Sequence, residues 1–314
     1  MLLRSRPAVL ADLLNYRDGL AFPYGRDPDV LRRLPEAWER LLHLPSVWSQ
    51  VVEDLEAPPS ERVVFYSLTA FVSRSFAMRL RLGRTPFISG EVVRRLLKNG
   101  EEPLDKRGMI AHLQEDGLCG LNLHSVCPLV PPGESAPLVI GEYATRQNFD
   151  QMRGYRFDQF LREVFTAEAS HGYQSGGWRV RADYRSILPD SGPSLDHPYL
   201  LGIDREEAAV SAGARMAEMF VHRPPRLGLR RIHRDLLQAA LEGLTDDEIA
   251  DRLSISLSAV KKRWLAAYEH VDQRLPGLLP FDVLRAEGGR GTERRRHLLN
   301  HLREHPEEFR SLED

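Results

Sequence analysis

Leu236-Leu237-Gln238-Ala239-Ala240-Leu241-Glu242-Gly243-Leu244-Thr245-Asp246-Asp247-Glu248-Ile249-Ala250-Asp251-Arg252-Leu253-Ser254-Ile255-Ser256-Leu257-Ser258-Ala259-Val260-Lys261-Lys262-Arg263-Trp264 is the stretch whose reading decides the expected architecture. Leu236, Leu237, Ala240 and Leu241 recur at helical spacing and give a first helix an apolar stripe. Gly243 ends it, as glycine past a helix end often does. Thr245 opens a second helix, and Glu248 three residues on completes a capping box. Asp246 and Asp247 sit at the positive end of that helix dipole. Ser254-Ile255-Ser256 is the turn, and Ser256 caps a third helix. Val260, Trp264, Tyr268, Val271 and Leu275 follow at spacings of three and four and pack inward. Ser258, Lys261, Lys262 and Leu265 fall elsewhere on that helix, beside Arg263. A helix face of this kind suits the major groove of duplex DNA.

The segment resembles the DNA-binding domain of LuxR/GerE-type transcription regulators. The landmarks are Leu229, Glu242-Gly243-Leu244, Glu248-Ile249-Ala250, Leu253, Ile255-Ser256 and Val260-Lys261. The resemblance implies that Lys261 and Lys262 face the groove and that Thr245 and Lys261 contact phosphates. It places Ser256, Ser258, Arg263 and Leu265 on the same interface. Three departures stand out: Ala259 replaces a threonine, Arg263 a histidine, and His233 a glutamate. Pro276 and Pro280 interrupt the region of the family's fourth helix.

Around this segment the chain of 314 residues has the length of two or three domains, and its hydrophobic share of 42% can bury ordinary cores. No apolar run approaches the length that spans a bilayer. The start, Met-Leu-Leu-Arg-Ser-Arg-Pro, lacks the long apolar region of a signal peptide. Two cysteines make no disulfide framework; Cys119 and Cys127, with His124 between them, are expected as small buried residues. These features point to a cytoplasmic protein with no membrane partner. The net charge of −2 is not that of a nucleic-acid binder. Residues 221 to 314 hold 17 Lys+Arg against 16 Asp+Glu, so DNA affinity would come from a local patch including Arg252 and Lys261 to Arg263.

Residues 1–220 mix helix and strand patterns and are expected to form an α+β or α/β module that senses a ligand or partner. Proline-rich stretches fall at 128–137, 189–198 and 222–226. The last reads as a linker, 221–228, before a helix-turn-helix domain at 229–275 and a basic helical tail at 276–314. Strands are expected at Val63–Tyr66, Gly117–Val126, Leu138–Tyr143 and Trp178–Tyr184. A long amphipathic helix is expected at Tyr155–Ala169, with Phe157, Phe160, Leu161, Val164 and Phe165 on one face.

Just before that helix, Gln151-Met152-Arg153-Gly154-Tyr155-Arg156 resembles the acetyl-coenzyme-A loop of GNAT acyltransferases, Gln/Arg-x-x-Gly-x-Gly/Ala. There, backbone N–H groups at a helix N-terminus cradle a pyrophosphate. Gln151 and Gly154 match; Arg156 stands where the motif has a small residue and would crowd the phosphates. No Gly-x-Ser-x-Gly, no phosphate-binding Gly-Lys-Ser/Thr and no His-Glu-x-x-His is present. His297, His301 and His305 lie four apart, among arginines that would repel a cation.

The expectation from sequence is a sequence-specific, DNA-binding transcription regulator, not an enzyme, without a cofactor. Its partners would be double-stranded DNA, a second copy in a homodimer, a small-molecule effector and RNA polymerase. Two alternatives stand beside it: a GNAT-like acyltransferase with a DNA-binding tail, and a protein-interaction module with a degenerate helix-turn-helix.

Overall fold

Val63 to Val72 is an almost wholly buried run of ten residues, and such a run forms a strand when both of its faces are covered. It is the third of seven strands in one mixed sheet. The computed structural model describes residues 1–83, 85–128, 138–188, 198–211, 215–280 and 290–310. Of the expected proline-rich stretches, 129–137 and 189–197 lie outside the described residues.

In chain order the elements are β1 (Leu3–Arg6), α1 (Leu10–Asn15), α2 (Arg17–Ala21), α3 (Pro28–Leu42), β2 (Val47–Asp54), β3 (Val63–Val72), α4 (Arg74–Arg81), α5 (Ile88–Leu97), α6 (Lys106–Gln114) and β4 (Leu118–Val126). There follow α7 (Leu138–Met152), β5 (Phe157–Val164), α8 (Ala167–Ser175), β6 (Arg179–Asp183), β7 (Tyr199–Asp204), α9 (Arg205–Val210), α10 (Arg231–Leu241), α11 (Asp246–Leu253), α12 (Leu257–Arg274) and α13 (Arg290–Glu304). A 3-10 turn, Phe22–Tyr24, links α2 to α3.

The sheet order is β1-β2-β3-β4-β5-β7-β6. Pairing is antiparallel except between β4 and β5, which run parallel. A parallel pair requires a crossover, and α7 supplies it. One face of the sheet carries the main core, with Leu20, Tyr24, Leu34, Trp38 and Leu41 against Leu68, Ala70, Leu121 and Leu161. On the other face Ile140 and Ala144 of α7 pack on Val52, Val64 and Phe65.

The chain divides into two units, Met1–Phe149 with Arg156–His222, and Asp150–Tyr155 with Arg223–Asp314. The first holds the sheet. The second is helical, and its core joins Leu236, Leu237, Ile249, Val260, Trp264, Tyr268 and Val271 to Leu298, Leu299 and Leu302 of α13. The Arg295 guanidinium lies 4.5 Å from the Trp264 ring centre and 2.8 Å from the Asp246 carboxylate. A cation over an indole face is attracted by the ring quadrupole. Thus α13 is part of the helical core.

The expected fold class, an α+β or α/β module joined to an all-α helix-turn-helix domain, is corrected in its parts: the first unit is one seven-stranded mixed sheet with flanking helices, and in the second α13 joins the three expected helices in one core. The physical reason lies in two segments. Residues 138–143 belong to helix α7 and not to a strand. Residues 157–164 form strand β5 and not the start of a helix. Both are short apolar runs, for which periodicity does not separate a buried strand from a buried helix.

Candidate active site

The sheet is irregular where β4 and β5 part. Their register runs from Leu118 opposite Phe157 to Asn122 opposite Arg162. Beyond it β4 continues to Val126, paired only with β3 among the described residues, and β5 to Val164, paired only with β7. The strands therefore open at their carboxyl ends. A bulge sits at the same place: Thr69 pairs with Asn122 and Leu68 with His124, which leaves Leu123 as the extra residue. Bulges are found next to active sites because they re-aim side chains and interrupt pairing.

Polar groups hold this opening in shape. The Asn122 side-chain amide donates to Thr69 Oγ1 at 3.3 Å and accepts from Ser125 Oγ at 3.1 Å, tying the bulge together. Ser89, in the first turn of α5, donates to the Leu123 carbonyl at 2.6 Å. Glu163, on β5, accepts from the backbone N–H groups of Phe87 and Ile88, each at 2.8 Å. The N-terminus of α5 is thereby bonded both to β4 and to β5 beside their separation. Phe87 has φ 58°, a left-handed conformation rare for a bulky residue, and it aims two N–H groups at one carboxyl. Gly90 is required for the same approach: a Cβ there would lie 2.2 Å from the Tyr24 carbonyl oxygen.

Burial sets the charge of these groups. Desolvation pushes the Glu163 carboxyl up to about 8 against the two N–H bonds that favour its anion. His124 is buried and is pushed down to about 3, so it is neutral. Its Nδ1 lies 2.8 Å from the Tyr24 hydroxyl, which also receives Trp38 Nε1–H at 3.1 Å. Among the described residues, His124 Nε2 and the Tyr184 hydroxyl are buried without a hydrogen-bond partner. Cys119 is free and buried, and its thiol is pushed up to about 12, outside the range of a nucleophile at neutral pH.

At the end of β4 the chain passes through 127–137 into α7. A crossover helix runs back against its strands, so its N-terminus lies at their carboxyl end. Ligands of α/β sheets bind at that end, where the connections change direction. The first turn of a helix carries N–H groups without intrahelical partners and the positive end of the dipole, which together attract phosphate. Leu138 and Val139 of that turn are exposed.

The six residues expected to cradle a pyrophosphate occupy the other end of the helix. Gln151 and Met152 close α7, Gly154 turns with φ 92°, and a strand follows. A helix C-terminus presents carbonyls and the negative end of its dipole, which repels phosphate. Arg310 donates to the carbonyls of Gln151 and Arg153, and Arg153 pairs with Glu307 at 3.0 Å. A Cβ on Gly154 would lie 2.9 Å from that of Glu307. This segment is therefore filled by protein.

The residues expected at a DNA interface all lie in the helical unit. Thr245 caps α11, its hydroxyl bonded to Glu248, and Ser256 caps α12 through Ala259 N–H at 3.2 Å. Arg252 pairs with Glu242. Ser258, Lys261, Lys262 and Leu265 are exposed on α12, and Arg263 is half-buried. Two of the expected contact hydroxyls are thus bonded within their own helix ends. Among the described residues no three His, Cys, Asp or Glu side chains are grouped to hold a metal ion. Among the described residues, no helix is long and apolar enough to cross a membrane.

No family model and no curated protein matches the chain. Solved structures do. FeeM, an N-acyl amino acid synthase from uncultured soil microbes, is 10% identical, with 69% of this chain and 96% of that one covered and a TM-score of 0.37. Spermidine N-acetyltransferase from Vibrio cholerae, in complex with CoA and spermine, is 11% identical over 65% of this chain and 96% of its own, with a TM-score of 0.38. Arabidopsis thaliana NAA60, in complex with acetyl-CoA, is 14% identical over 65% and 99%, with a TM-score of 0.38.

None of the three is named as a DNA-binding regulator, so the expectation of a DNA-binding transcription regulator that is not an enzyme is corrected to this extent: it finds no support among them. One of these structures is named as an N-acyl amino acid synthase and one as an N-acetyltransferase, and two are complexes with CoA or acetyl-CoA. Double-stranded DNA is named as a partner of none of them. The homodimer on two half-sites, the effector and RNA polymerase were expected only as parts of that regulator and are withdrawn with it. Sequence reasoning missed Tyr24, Ser89, Glu163 and Tyr184, and noted His124 only as lying between two cysteines. The available signal was Asn122, His124 and Ser125, three polar residues in a mainly apolar strand run.

Proposed function

We propose that the chain is a coenzyme-A-dependent acyltransferase. The observation that carries this reading is the parallel β4/β5 pair, which opens beyond Asn122 and Arg162 at the bulge on Leu123. Such an opening admits an extended pantetheine arm between two strands, where its amides would meet the β4 backbone in place of β5. The diphosphate would lie at the first turn of α7, on its unpaired N–H groups. The thioester then comes beside His124 and the N-terminus of α5.

The reaction is a simple exchange. The amine lone pair attacks the thioester carbon, the C–S bond breaks, and the departing thiolate takes the proton that the amine gives up. The protein holds the two reactants in line, which removes much of the entropic cost of meeting. An aromatic trio, Phe22, Phe87 and Phe165, stands at the carboxyl end of β5 with ring centres 4.8 to 6.4 Å apart. It offers an apolar wall to the acyl chain or to the acceptor.

The test is release of free thiol from acetyl-CoA and longer acyl-CoAs, with a panel of primary amines as acceptors. Amines come first because an N-acyl product and N-acetyl transfer are named for two of the three structures above. The expected result is acceptor-dependent thiol release by the full chain. Thiol release at the buffer rate with every pair, together with no CoA binding by calorimetry, would overturn the reading.

A further inference from the structure

We propose that His124 is the electrophile of this site, its Nε2–H donating a hydrogen bond to the carbonyl oxygen of the thioester. The inference rests on the acyltransferase reading above and adds to it a named catalytic group.

The argument begins with an indole. Trp38 Nε1–H is a donor only, so the Tyr24 oxygen accepts from it at 3.1 Å. The Tyr24 hydroxyl proton then has His124 Nδ1, 2.8 Å away, as its acceptor. Nδ1 can accept only if the imidazole carries its proton on Nε2. The opposite tautomer would leave the Tyr24 proton without an acceptor as well as the Nε2 lone pair without a donor, two unmet buried groups in place of one. Trp38, Tyr24 and His124 are all buried, so water does not relieve either choice. The three residues therefore hold the imidazole neutral, fix its tautomer and orient its ring. Tyr24 also meets both rings edge-on, with centres 6.0 and 5.9 Å away.

Among the described residues, what remains is one N–H with no partner. An unmet buried donor costs about 1–3 kcal/mol, and native proteins keep few of them. Its place gives the reason. His124 is the first residue after the bulged Leu123, in the part of β4 that has lost β5 as a neighbour. The neighbouring carbonyl, that of Leu123, is already held by Ser89, so the site offers a donor and not an acceptor. A carbonyl oxygen that gains negative charge as the amine adds is the group such a donor serves. A neutral imidazole suits this role because it can polarise the carbonyl without surrendering its proton.

The experiment is nitrogen-detected NMR of the full chain with labelled histidine, alone, with CoA, and with a ketone analogue of acetyl-CoA whose methylene separates sulfur from carbonyl. The expected spectrum places the His124 proton on Nε2 throughout the neutral pH range. The ketone analogue should shift that proton downfield, and CoA, which has no acyl carbonyl, should not. In kinetics, His124→Ala should lower kcat about a hundredfold or more with little change in KM for acyl-CoA. Tyr24→Phe, which removes the lock but keeps the ring, should leave the buried histidine neutral, free it to exchange between tautomers and lower kcat by a smaller factor. A proton on Nδ1, or equal spectra with CoA and the ketone, would overturn the assignment while thiol release still upheld the acyltransferase. Failure of both CoA and the ketone to bind would overturn both.

Discussion

Glu163 is the residue at which burial and charge conflict most openly. Its carboxyl accepts two backbone N–H groups, which favour the anion, yet desolvation prevails and lifts it from 4.5 to about 8. A group raised on folding stabilises the fold fully below its unfolded value and loses that contribution as pH rises through the folded value. Between about pH 5 and pH 8 the chain should therefore lose stability on the order of 3 kcal/mol from this one carboxyl. Urea unfolding across that range, set against Glu163→Gln, checks it. The difference between the two proteins should change with pH in that direction, and parallel curves would contradict it. Gly90 gives a second prediction at this scale. Gly90→Ala brings a Cβ to 2.2 Å from a carbonyl oxygen, so helix α5 must move away from Tyr24. A loss of about 2–4 kcal/mol in unfolding free energy is expected, as for other overpacked sites. None of these residues was legible in the sequence. A carboxylate reads as surface until its neighbours are known, and a glycine does not announce which backbone it faces.

Among the elements, helices with marked ends could be read and the central strands could not. Thr245 and Glu248 lie three apart before an apolar run, and the structure closes their reciprocal capping box. Ser256 caps α12 and Val260, Trp264, Tyr268 and Val271 fall on its buried face. Local chemistry decides such features, so local sequence carries them. Ser256→Ala should cost the helical unit about 1 kcal/mol, seen as a lower midpoint in thermal unfolding of the full chain. By contrast β5 holds Phe157, Phe160, Leu161 and Val164 at spacings that suit a helix, because both faces of the strand are covered. Its partner strand decided its form, and that partner lies some forty residues away. The crossover helix α7 offers a clean control. A Cβ at Gly141 would meet nothing within 4 Å, so Gly141→Ala should stabilise the chain by about 0.5–1 kcal/mol. The same thermal unfolding measures it.

At the scale of the whole molecule, the chain carries one mixed sheet and one helical unit, and the opening between β4 and β5 is the feature with chemical use. Its presence could not be read from composition or motifs. It depends on pairing that stops at Asn122 and Arg162, on an extra residue at Leu123, and on α7 as the crossover from β4 to β5. The motif that resembled a coenzyme-A loop sits at the opposite pole of that same helix, which shows how little six residues say without their place in the fold. Val139 is exposed in the first turn of α7. Val139→Glu should leave stability unchanged or slightly higher, since an acidic residue suits a helix N-terminus, and should weaken CoA binding at low salt through repulsion of the diphosphate. Amide hydrogen exchange of the full chain with and without CoA tests the central claim most directly. The account predicts protection confined to residues 123–126 of β4 and to the first turn of α7, lost in Val139→Glu. Protection elsewhere, or none at saturating CoA, would contradict it.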